Sequence, residues 1–169
     1  MMARHAPYPA LVCDRYWTVR DANASAQALL SPLIEGGEMN IIRMLTEHPL
    51  AAEMVVNLGE VLNEMLGRIR LEALEMGADP VHAEQVRALE AALRRHPAPK
   101  ATAPRSPLVP VAFRGPDRVY RFLSAVAHFG TSEDVTVRDL RLELLFPADD
   151  ETRAAFGTAP ANQTSGAVG

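Results

Sequence analysis

The hydrophobic pattern of this chain changes its period part-way along, and this change restricts the possible folds more than any other feature. Between residues 50 and 76, apolar side chains recur every three or four positions, which is the spacing of one helix face. After residue 108 they alternate with polar side chains, which is the spacing of a strand. The pattern therefore predicts a helical layer followed by a sheet.

The helical part predicts a long helical hairpin. Its first helix should span about Leu50–Met76 and end at Gly77, a common C-terminal cap. Asp79–Pro80 then supplies an N-cap and a proline at the first position of a second helix. Gly59 and Gly67 lie inside the first helix, where each costs about 1 kcal/mol relative to alanine. Their presence indicates close packing or a bend.

Two strands and two short helices are predicted before the hairpin. Ala10–Asp14 is a short apolar run typical of a buried strand, and Trp17–Arg20 alternates like a second strand. Asp21 or Asn23 can cap the helix that follows, and Asn40 can cap the next one.

Three more strands are predicted after a proline-rich loop at residues 97–110. Residues 108–113 and 119–129 form the first two, and the second strand is apolar on both faces, so both are covered or one lines a pocket. In the third, apolar Leu140, Leu142, Leu144 and Phe146 alternate with polar Asp139, Arg141 and Glu143, which predicts a half-buried strand with one polar face. A bend is expected near Arg138. This order predicts an α+β fold with one antiparallel sheet covered on one side by helices.

Composition narrows the functional classes. The 169 residues suffice for one domain, and the net charge of −4 disfavours binding to nucleic acid phosphates. Cys13 is the single cysteine, so no internal disulfide can form, and no apolar run approaches the roughly 20 residues that cross a bilayer. We expect a cytoplasmic protein without a signal peptide or membrane segment. The ordered domain is expected at residues 7–156, and residues 157–169 are expected to be a disordered tail.

No catalytic or metal-binding pattern stands out. The five histidines have no metal-ligand spacing with one another or with Cys13. Ser124 and His128 lie four apart on one strand, about 13 Å at 3.3 Å per residue, which is too far for a triad with Asp134. Known nucleotide-binding and nucleophile motifs are missing as well. We therefore expect neither an enzyme nor a cofactor or metal site.

Three segments together resemble the ligand-binding domain of MmyB-like transcription regulators. They are PYPALVCDRYWTVRDANASAQALL, VVNLGEVLNEMLGRIRLEA and FGTSEDVTVRDLRLELLFPADDETRA, and the similarity spans about Pro7 to Phe156. The resemblance implies a PAS-like fold with a five-stranded antiparallel sheet and small apolar ligands, of which fatty acids are the best-known candidates. It also implies DNA binding through a preceding helix-turn-helix domain, which we expect to be missing from this chain. Leu58 and Gly59 stand where the family often has tryptophan and a carboxylate.

The predicted ligand site lies between the long helix and the sheet. Its residues are Met54, Leu58, Val61 and Met65 from the helix, and Phe122, Val126 and Leu140 from the sheet. Methionine adapts to varied apolar shapes, and each buried methylene of an acyl chain would gain about 0.8 kcal/mol. For a ligand carboxylate, Arg68, Arg121 and His128 are candidates by charge alone.

A different function is also compatible with the sequence. The domain can be a dimerisation or partner-docking module with a solid core, and a homodimer remains open. The two hypotheses differ in whether the predicted residues enclose a cavity. As simpler interpretations, the methionines fill the core, the charged candidates are solvated, and Cys13 and Trp17 are structural.

Overall fold

The computed structural model describes residues 2–34, 39–77, 79–99, 109–128 and 139–157. The strands are β1 (Ala10–Cys13), β2 (Val19–Ala22), β3 (Val111–Arg114), β4 (Val119–His128) and β5 (Arg141–Pro147). The α-helices are α1 (Ala24–Leu30), α2 (Ile41–Glu47), α3 (Ala51–Met54), α4 (Leu58–Met76), α5 (Pro80–Arg95) and α6 (Asp150–Gly157). Two short 3-10 turns lie at Met2–His5 and Ser31–Leu33. The predicted α+β fold is confirmed.

The five strands form one antiparallel sheet in the order β2-β1-β5-β4-β3. The last strand in the chain therefore lies at the centre, between a strand from the N-terminal hairpin and one from the C-terminal hairpin. This arrangement is the five-stranded antiparallel sheet that the resemblance implied, and it is consistent with a PAS-like fold.

The register of the sheet separates its two faces. Leu11 pairs with Glu143 and Ser124 pairs with Leu145, and residues opposite one another in an antiparallel pair share a face. This face is turned toward the helices. The predicted apolar positions of the third C-terminal strand, from Leu142 to Phe146, alternate onto the other face.

The central position of β5 changes what its charged residues do. Arg141 and Glu143 were predicted to form a polar face, but they are only 5% and 9% exposed. Arg141 and Glu143 lie on the face of β5 that is turned toward the helices, so these charges must find partners inside the fold.

The long first helix of the hairpin is interrupted, and its predicted start at Leu50 is wrong. The segment Val55–Asn57 instead pairs with β3: the Val56 N–H donates to the Ala112 carbonyl at 2.8 Å. Asn57 Nδ2 donates to the Pro110 carbonyl at 2.7 Å, and Asn57 Oδ1 accepts the Ala112 N–H at 2.9 Å. These bonds replace helical ones, so α3 ends at Met54 and α4 begins at Leu58.

The glycines of α4 have different surroundings. A Cβ atom at Gly59 would lie 2.7 Å from the carbonyl oxygens of His96 and Pro97, where the chain leaves α5. A Cβ at Gly67 would meet nothing within 4 Å. Close packing is thus confirmed at Gly59 alone. Gly77 ends the helix with φ +80°, a conformation that suits glycine, as predicted.

The first hairpin is shifted from its predicted position. Trp17 lies in the turn with φ +66°, and β2 begins two residues later. Asp14 stabilises this turn because its Oδ1 accepts the N–H groups of Tyr16 at 2.8 Å and Thr18 at 3.0 Å. Asn23, and not Asp21, caps α1.

Some predictions fall outside the described residues: the bend near Arg138, most of the proline-rich loop, Asp134, and the tail from residue 158. Within the described ranges, no helix is long and apolar enough to cross a membrane.

Candidate ligand cavity between the helices and the sheet

A cavity of about 90 Å³ lies between the helical layer and the inner face of the sheet. Most of its lining is apolar. The lining residues are Leu30, Ile41, Met44, Leu45, Val61, Glu64, Met65 and Arg68 from the helices, and Leu11, Val109, Val111, Phe113, Ser124, Glu143 and Leu145 from the sheet and its approach.

Helical spacing explains the helix side of the cavity. On α4, Val61, Glu64, Met65 and Arg68 lie at i, i+3, i+4 and i+7, so they form one stripe along the helix. Along this stripe the apolar side chains of Val61 and Met65 alternate with the charged side chains of Glu64 and Arg68. The cavity wall therefore contains a charged group as well as apolar residues, and this group is called the charged end.

The charged end combines side chains from helix and sheet. Arg68 pairs with Glu64 at 3.8 Å. Across the cavity, Ser124 Oγ donates to Glu143 Oε1 at 2.6 Å. Glu143 is the most enclosed of these groups, because it lies on the central strand.

A cluster of charged side chains around Trp17 adjoins the charged end of the cavity through Arg68. Arg68 and Arg141 lie 5.3 and 4.7 Å from the centre of the Trp17 ring, within the range of cation–π attraction. Trp17 Nε1 donates to Glu72 Oε2 at 3.2 Å, and Arg141 Nη1 donates to Glu72 Oε1 at 2.5 Å. Arg68 thus belongs to both the cavity lining and this Trp17 cluster.

The comparison with family models decides the family. The MmyB-like transcription regulator ligand binding domain matches residues 1–158. The chain belongs to this family. Searches of curated proteins and of solved structures found no match. For this MmyB-like domain, a cavity between helices and sheet is the feature that a ligand-binding role requires.

In this MmyB-like domain, the four predicted helix residues and Phe122 of β4 have different surroundings. Val61 and Met65 line the cavity. Leu58 and Phe122 are buried in the surrounding core and do not line it. Met54 lines a separate open groove.

The remaining sheet residues are also apart from the cavity. Val126 is half-buried, packs against the core and pairs with Glu143 across the strands. Leu140 precedes β5 in phase with Leu142, on the opposite side of the sheet from the cavity. Whether the seven predicted residues contact a ligand stays a prediction.

The three candidate partners for a ligand carboxylate differ in their position relative to the cavity. Arg68 lines the cavity, whereas Arg121 is exposed and pairs with Asp149 at 3.5 Å. His128 is exposed at the end of β4, opposite Arg141. Of the three, Arg68 is the one placed to meet a ligand in this cavity.

Several lining residues were missed from the sequence. Ile41, Met44 and Leu45 of α2 have helical spacing, which was visible, but their helix was not connected to the site. Glu143 was classified as polar surface because its strand was assumed to have one solvated face.

Cys13 is buried and unsuited to redox sensing. Burial, followed by the negative charge of Glu143, raises the pKa of its thiol to about 12. The reactive thiolate is therefore scarce at neutral pH. Over the described ranges, no group of three or more His, Cys, Asp or Glu side chains is arranged to hold a metal ion.

Proposed function

We propose that this MmyB-like domain senses a small apolar ligand in the cavity and transmits its binding to a DNA-binding domain of the same regulator. Family membership supports ligand binding in transcription regulation. The apolar lining between α2, α4 and the sheet is the observation that supports an apolar ligand.

The size of the cavity supports a coupling between binding and movement. At about 90 Å³ it is smaller than the roughly 150 Å³ engineered cavity that accepts benzene. A ligand with a longer chain therefore has to displace side chains. Met44 on α2 and Met65 on α4 are unbranched and can adopt other rotamers. The ligand would bind more tightly to a state in which α2 and α4 have moved apart than to the state seen here. Such a difference in affinity between two states is what allows a ligand to shift a regulator from one to the other.

The proposal assigns DNA contact to a helix-turn-helix domain and not to this domain, whose net charge is −4. The regulator would act in the bacterial cytoplasm, where its DNA is. Fatty acids enter as the ligand class that the family resemblance suggests, with Arg68 as the one candidate cation that lines the cavity. No catalytic step is part of the proposal.

Native mass spectrometry of the purified protein, followed by thermal unfolding with a panel of alkyl ligands, tests this function. A ligand at 100 times its Kd stabilises the folded state by about 2.7 kcal/mol. Val61→Phe fills the cavity and should abolish the shift. Leu74→Phe, on an exposed position of the same helix, should leave it unchanged. If no small molecule co-purifies and no ligand of the panel raises the unfolding temperature, the sensor function is wrong.

One observation favours the alternative of a dimerisation module. Leu71 and Leu74, near the end of α4, are 64% and 80% exposed. They are three residues apart and share one face of the helix, and contiguous exposed apolar side chains mark protein contacts. Sedimentation velocity over a range of concentrations should then show a dimer that Leu74→Glu dissociates. If the protein is a monomer at all concentrations, the dimerisation module is ruled out and the sensor function is the remaining hypothesis.

A further inference from the structure

Glu143 presents a carboxylate to the cavity from the inner face of the sheet. Its cross-strand neighbours on the inner face of the sheet are Leu11 and Val126. The residue is 9% exposed and lines the cavity. A carboxylate removed from water in this way is costly unless hydrogen bonds or opposite charges compensate it.

The compensation inside the protein is small. Ser124 Oγ donates to Glu143 Oε1 at 2.6 Å, and this is the one hydrogen bond that Glu143 receives from the described part of the chain. An ionised carboxylate has about four acceptor sites. The second oxygen, Oε2, therefore has acceptor capacity left for a group inside the cavity.

The neighbouring cations are engaged elsewhere. Arg141, two residues along β5, donates to Glu72 and to the Arg15 carbonyl. Arg68, on the opposite wall, pairs with Glu64 and lies over Trp17. Neither forms an ion pair with Glu143 in the described ranges.

The charge of the lining also bears on the ligand. Among the described lining residues, Glu64 and Glu143 are acidic and Arg68 is basic. A ligand carboxylate would add a third negative charge beside Glu143, whereas an N–H or O–H group would donate to Glu143.

We propose that the ligand of this cavity is an apolar molecule whose head group is a hydrogen-bond donor, an amine or a hydroxyl, which donates to Glu143 Oε2. This inference rests on the proposed sensor function, but it replaces the fatty acid of that proposal, whose carboxylate would pair with Arg68, by a ligand with a donor head group. Ser124 is a positioning residue: its hydrogen bond to Oε1 holds the carboxylate so that Oε2 is presented to the ligand. The apolar body of the ligand lies between Met44 and Met65.

A matched series of eight-carbon ligands tests the head group on the full chain. Octylamine, 1-octanol, octanoate and octyltrimethylammonium are titrated by calorimetry at one pH and salt concentration. We expect octylamine to bind at least about tenfold more tightly than octanoate, with octanol between them, because charge-assisted hydrogen bonds are the stronger ones. Octyltrimethylammonium has the same charge as the amine but no N–H, so it should bind at least about tenfold more weakly than octylamine.

Glu143→Gln then removes the charge at nearly constant shape. It should lower octylamine affinity about tenfold, while Glu151→Gln, at an exposed position on α6, should have no effect. If Glu143→Gln does not fold, the wild-type series decides alone.

The outcomes separate the two proposals. Octanoate binding as tightly as octylamine, equal binding of octyltrimethylammonium, or an unchanged octylamine affinity in Glu143→Gln would each overturn the donor head group and leave the sensor function intact. Failure of all four ligands to bind would overturn the sensor function, and this inference with it.

Discussion

The two halves of α4 are held in the fold by different means. In the first half, Leu62 is fully buried, and Gly59 lets the chain after α5 approach closely. In the last two turns, Leu71 and Leu74 are exposed, and Glu72 carries the contact through hydrogen bonds to Trp17 and Arg141. The first half of the helix is therefore held by close packing, and its last two turns are held by charged hydrogen bonds. Substitutions in the two parts should lower the stability of the fold for different physical reasons.

The largest effect is expected at the C-terminal end of α4, where Glu72 pairs with Arg141. Arg141→Leu removes the partner of Glu72 and one of the two cations that lie over Trp17. Breaking a buried ion pair by removing one partner typically costs about 3–5 kcal/mol, because the other charge is left buried. Urea unfolding of the variant and the wild type measures this loss.

A double variant separates the buried charge from the lost packing. Glu72→Leu together with Arg141→Leu should recover most of the stability, because no uncompensated charge remains. A loss of about 1 kcal/mol or less in the single variant would show that the pair behaves like one at the surface, and the contrast between the two ends would disappear.

The packed end should be nearly as sensitive. Gly59→Ala introduces a Cβ atom 2.7 Å from two backbone carbonyl oxygens, which cannot move without the chain around His96 and Pro97. Overpacking of this kind costs about 1–3 kcal/mol. The free energy of unfolding of the variant, from denaturant titration, should fall by this amount. An increase would mean that the chain after α5 yields easily.

Gly67→Ala is the matched change in the same helix and should have the opposite sign. Nothing lies within 4 Å of the added Cβ, so the gain in helix propensity of about 0.5–1 kcal/mol remains. Thermal unfolding should show a higher Tm than the wild type. A loss would indicate that this face of α4 is covered in solution.

The smallest effect is expected at the exposed tip of the helix. Leu74→Gln should change the free energy of unfolding by less than about 0.5 kcal/mol, because Leu74 is 80% exposed. A loss of more than about 1 kcal/mol that depends on protein concentration would reveal self-association through this end.

Local sequence patterns were enough to predict the fold class but not the interruption of the helix. The change of period separated helices from strands, and Asn40, Asp79 and Gly77 marked helix ends. The break at Val55–Asn57 depends on hydrogen bonds with Pro110 and Ala112, more than 50 residues away, and no local pattern contains such partners.

The site was predicted in part for the same reason. Val61 and Met65 followed from the helical stripe of α4. Glu143 could not be recognised from alternation alone, because its burial depends on β5 being placed between β1 and β4. The strand order is a property of the whole chain, and it decides which alternating residues meet water.

The sheet order has a further consequence during synthesis. Leu11 pairs with Glu143, so β1 leaves the ribosome long before its central neighbour exists. Until β5 is made, β1 and β4 each have an unpaired edge, and such edges invite pairing with other chains. The inner strand is inserted last, and a nascent chain stalled before it would be a target for chaperones or proteases.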